Sequence, residues 1–186
     1  MLASIVNDIK DVLNTTYAAI NKKNYFALEG LSNRLNHSTA IHQLREISIC
    51  SAAVFALSKI FDKKDYLQHP DFNEFRNNIL KQLTSTIKAV GTSNYMKNMK
   101  LIESHIQKFS SKIKTYHVPL LTYARSVKAK HVVEHGLSVS QASKLFSVPE
   151  WSISKHMGKS GAHEKHYAAP KFNRERIKLA RRLFNA

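Results

Sequence analysis

From Leu2 onward the apolar residues of this chain recur at steps of three and four, and nowhere do they alternate with polar residues over the length of a strand. That spacing lines one face of an α-helix. Leu2, Ile5, Ile9, Val12, Leu13 and Tyr17 predict a first amphipathic helix ending near Asn21. The punctuation agrees: the 186 residues include only 5 Gly and 4 Pro, too few for the many turns a sheet requires. The expected fold class is all-α.

Asn24 is expected to cap a second helix running to about Asn36, followed by a connector at His37-Ser38-Thr39. A third helix is expected over Ile41 to Phe61. Its middle, Ile47 to Leu57, is apolar on nearly every side, as in the central helix of a bundle. Pro70-Asp71 opens a fourth helix carrying Phe72, Phe75, Ile79, Leu80 and Leu83, which breaks at Gly91-Thr92-Ser93. A fifth, Met96 to Ile113, has Met99, Ile102, Ile106 and Phe109 as its stripe. Residues 1–116 therefore read as an antiparallel bundle of about five helices. Residues 117–158 read as a second unit, and 159–186 as a basic linker and a C-terminal helix capped by Asn173.

The second unit is the most informative stretch. Leu120 to His135 is helical by pattern, and Gly136 is its C-terminal stop. Ser138 and Gln141 then form a capping box. The short helix that follows carries Ala142, Leu145 and Phe146. Ser147-Val-Pro-Glu150 reads as a second capping box, with Pro149 in the first turn of the next helix. Ile153 and Met157 mark the inner edge of that helix, together with His156. Two helices this close make a sharp corner, the architecture of a helix-turn-helix.

Ser138, Ala142, Phe146, Ser147, Val148, Pro149, Ser152 and Ile153 stand at the spacing S-x3-A-x3-F-S-V-P-x2-S-I. This resembles the helix-turn-helix of the pipsqueak and resolvase/transposase class over about residues 123–158. That class usually has Gly where this chain has Ser147. The whole chain is also loosely similar to small archaeal proteins of unassigned function that join a helical region to a helix-turn-helix, which implies an architecture and no activity.

Charge points the same way. Residues 1–110 carry 14 Lys and Arg against 9 Asp and Glu, a net of +5, whereas residues 111–186 carry 15 against 4, a net of +11. A pI near 10 with the excess in one part of the chain suits a polyanionic partner. Glu150, Trp151, Ser154 and Lys155 are expected on the outer face of the last corner helix, where Glu and Ser can read base edges. For Trp151, packing against a neighbouring helix is the competing expectation. Lys128 and Lys130 on the supporting helix, and Lys144 on the short one, are candidate backbone contacts. In the tail, Lys159, Arg174, Lys178, Arg181 and Arg182 are candidates too. Docking of the tail helix on the bundle is the competing expectation; an anionic membrane surface is not expected as a partner, because no wide aromatic face accompanies the charge.

The expected function is nucleic-acid binding, foremost as a DNA-binding regulator acting as a homodimer through the bundle. The alternative is an RNA- or ribosome-associated basic protein. A third reading is an RNase or antitoxin component. Helical nucleases of the HEPN class resemble the N-terminal region in fold type and use Arg-x4–6-His; here Arg34 precedes His37 and His42 at spacings on either side of that pattern. His131, Glu134 and His135 repeat the spacing of an inverted zinc-protease motif, but no third ligand accompanies them. No catalytic residue, metal or cofactor is expected. The one cysteine, Cys50, sits in an apolar run and excludes an intrachain disulfide, which suits a reducing cytoplasm. The N-terminus lacks the apolar region of a signal peptide, and the longest apolar run falls short of the about 20 residues that span a bilayer.

Overall fold

The computed structural model describes residues 2–113 and 118–157. The described residues fold into α-helices without a strand: α1 (Ala3–Asn21), α2 (Ala27–His42), α3 (Arg45–Asp62), α4 (Lys64–Leu67), α5 (Phe72–Ala89), α6 (Tyr95–Lys112), α7 (Leu120–Glu134), α8 (Val139–Phe146) and α9 (Glu150–Met157). The protein is all-α. Among the described residues no helix is long and apolar enough to cross a membrane.

The centre is α3. Every residue from Ile47 to Ser58 is buried, as are Ile60 and Phe61, and the helix packs against α1, α2, α4, α6, α7 and α8. Its composition explains this. Ser48, Ser51, Ala52, Ala53 and Ala56 keep it thin enough for neighbours to approach on all sides, and the two serines place their hydroxyls on nearby carbonyl oxygens rather than leaving them unpaired. Cys50 is part of this core; burial pushes its thiol up to about 12, so it is an inert small hydrophobe. At the far end, Phe75 and Phe109 stack with ring centroids 4.3 Å apart.

Two local expectations are corrected. The second helix starts at Ala27, not beside Asn24. The chain turns at Lys23, which has φ +58°, and the Asn24 N–H donates to Ala19 O, closing α1 instead of opening α2. His37, Ser38 and Thr39 are no connector but lie inside α2, which runs on to a left-handed Gln43. Thr39 is tolerated there because its hydroxyl donates to Leu35 O, one turn back. The short α4 had no sequence signature of its own.

The last three helices do not stand apart. Leu120, Leu121 and Ala124 of α7 belong to the main core. Ala129 and Val132, further along the same helix, join Leu137, Ala142, Phe146, Val148 and Ile153 in a second cluster, to which α3 contributes Ala52.

Candidate nucleic-acid interface

The corner is built by backbone chemistry before any side chain is presented. At the end of α7 the chain reverses through Gly136, φ +104°, a conformation that costs glycine little. The Gly136 N–H donates to Val133 O and the Leu137 N–H to Val132 O, so the last carbonyls of α7 are satisfied. Ser138 and Gln141 form the expected reciprocal capping box at the start of α8.

The second capping box is absent. Ser147 is the left-handed residue that ends α8, φ +53° and ψ +50°, and α9 begins at Glu150. Gly is the natural occupant of such a backbone position. Two side-chain contacts flank Ser147. The Ser143 hydroxyl donates to Val148 O at 2.6 Å, and Arg45 Nη2 donates to the Ser147 hydroxyl at 3.3 Å. The Ser48 hydroxyl donates to Leu145 O at 2.8 Å, so the first turn of α3 grips the end of α8.

The inner edge of α9 is sealed. Ile153 is fully buried in the second cluster. The Ser152 and Ser126 hydroxyls meet at 2.6 Å, tying α9 to α7. The His156 ring stands edge-on to Tyr123 at 5.5 Å. The outer edge is open: Glu150, Trp151, Ser154 and Lys155 are all exposed, and so is Lys144 on α8. Trp151 is 67% exposed, so packing beneath a neighbouring helix does not account for it. The Ser154 hydroxyl donates to Glu150 O within the helix, at 3.2 Å.

Lys128 is corrected. It is not a surface cation available to a phosphate but one of the largest fully buried side chains. Its ammonium donates to Asn33 Oδ1 at 2.7 Å and lies 4.4 Å from the centre of the Phe55 ring. Burial lowers its pKa to about 8. Asn36 Nδ2 also donates to the Lys128 carbonyl oxygen, so α2 clamps α7 at this residue. A signal was present: Leu121, Ala124, Lys128 and Val132 lie at helical spacing on the inward stripe. Lys130 is half-buried and its ammonium is 3.3 Å from Glu134. Lys159, Arg174, Lys178, Arg181 and Arg182 lie outside the described residues.

The histidines at the α2–α7 seam line a small cavity of about 220 Å³ with Asn33, Asn36 and Glu134. His37 stands edge-on to His135 at 5.4 Å. His131 has its pKa lowered, first by burial and then by the charge of Lys128. Among the described residues no three His, Cys, Asp or Glu side chains converge in a way that holds a metal. Arg34 is committed to Asp8 and Asp11, at 2.6 Å each, and His42 is exposed at the end of α2. Comparison with protein-family models, with curated proteins and with solved structures finds no match to this chain.

Proposed function

We propose that the protein binds nucleic acid, and that it is a DNA-binding regulator whose α8–α9 corner acts as a helix-turn-helix with α9 as the reading helix. The observation that carries this is the two-sidedness of α9. One edge is anchored by Ile153 and the Ser126–Ser152 contact, while Glu150, Trp151, Ser154 and Lys155 are left on the other with no part in the core. A helix fixed to a rigid body and bare along one side suits insertion into a major groove. Lys155 and Lys144 are the cations placed to contact phosphates. The net charge of +16 supports a polyanionic partner. A single corner reads few base pairs, so the working form is a homodimer joined through the bundle. The cytoplasm is its proposed location.

The test compares the full chain on duplex DNA and on structured RNA across a salt series, after sequencing the nucleic acid that copurifies with it. Duplex DNA is expected to bind more tightly, and Lys155→Ala to lower the salt slope by about 0.9. Preference for structured RNA turns the assignment to the RNA- or ribosome-associated alternative. An unchanged slope removes Lys155 from the interface.

A further inference from the structure

The described residues include four arginines, and three of them are committed to holding the fold together. Arg34 pairs with two carboxylates of α1. Arg125 pairs with Glu103 at 2.6 Å, bringing α7 to α6. Arg76 donates to Ile20 O and Asn21 O, two carbonyls at the end of α1.

Arg45 differs in its partner. It is exposed, as Arg34 is. Among the described residues it has no carboxylate in ion-pair range, and its side-chain hydrogen bond goes to the neutral hydroxyl of Ser147. It is also the first residue of α3, the end of a helix where the macrodipole disfavours a cation. Neither helix stability nor ion pairing accounts for an arginine there. Its one contact places the guanidinium at the hinge of the corner, three residues before α9 begins. The Ser48–Leu145 bond fixes that placement, because the turn of α3 that carries Arg45 is fastened to α8.

We infer that Arg45 is a nucleic-acid contact supplied by the bundle, its guanidinium taking a backbone phosphate beside the groove that α9 enters. This rests on the nucleic-acid reading of α9 and extends it: the interface is composite, made by the start of α3 as well as by the corner. Guanidinium suits the role because it can give two parallel N–H donors to one phosphate. It can do so while retaining, or exchanging, its weak bond to Ser147.

The test measures binding of the full chain to duplex DNA across a salt series for the wild type, Arg45→Ala, Arg45→Lys, Trp151→Ala and, as a control for lost charge, Lys81→Ala on the exposed side of α5. Far-UV circular dichroism verifies that each variant is folded. Arg45→Ala is expected to weaken binding about tenfold at low salt and to reduce the salt slope by about 0.9. Arg45→Lys keeps the slope while losing part of the affinity, and Lys81→Ala changes neither. If Arg45→Ala matches Lys81→Ala while Trp151→Ala loses binding, the Arg45 inference falls and the reading of α9 stands. If the wild type does not bind duplex DNA, both fall.

Discussion

Lys128 shows how far a single residue can depart from its type. A lysine in a basic segment reads as solvated, yet its neighbours at four-residue spacing are all core residues, and the backbone carries its side chain inward with them. Its cation is stabilised by one amide oxygen, one ring face and the charge of Glu29, which offset only part of the lost hydration. The sign of the pH dependence follows. The folded-state pKa, about 8, lies below the ordinary lysine value of 10.5, so folding disfavours the charged form. Stability is therefore greatest above pH 10.5 and is lost as pH falls towards 8, by up to about 1.4 kcal/mol per pH unit. Denaturant titrations from pH 8 to 10 should show the wild type gaining on Lys128→Met across this window. Parallel curves would mean that the ammonium stays hydrated. Ser147 is a different case. Its departure from Gly was visible in the sequence, but its left-handed backbone was not, because the hydroxyl suggested a cap.

At the scale of elements, legibility followed strength of periodicity. The ends of α1, α3, α6 and α7 lie within a few residues of where the spacing put them, because each carries a continuous apolar stripe. The boundaries of α2 were misplaced because Asn24 and the His-Ser-Thr run look like punctuation, while the real turns use Lys23 and Gln43 in left-handed conformations that local chemistry does not announce. The corner itself was legible from Gly136 and the Ser138–Gln141 box. How α9 is fastened was not, since it depends on two serines 26 residues apart. The Ser126 hydroxyl also donates to Thr122 O at 2.9 Å, so its single proton is spoken for and Ser152 is the donor between them. Ser126→Ala is then expected to cost about 1–3 kcal/mol, since it strands a buried donor, and Ser152→Ala less. In a double-mutant cycle by thermal unfolding, the pair should cost less than the sum. Strict additivity would show that the contact contributes nothing.

For the whole molecule, α7 is the decisive piece. Its first half is part of the bundle core and its second half is part of the corner core, and α3 reaches both. A sequence divided between residues 116 and 117 suggests two units. One helix shared by two clusters argues for a single cooperative one, because neither cluster can lose α7 and survive. Calorimetry on the full chain should give one transition whose van't Hoff and calorimetric enthalpies agree. Two resolved transitions would show that the corner folds on its own.

Trp151 is the only tryptophan in the chain, and it stands on the bare edge of α9. The indole is already wet in the native state, so its emission will scarcely register denaturation. On the proposed function, a base or sugar settling against it is expected to quench or shift that light, making the protein its own unlabelled reporter of occupancy along α9.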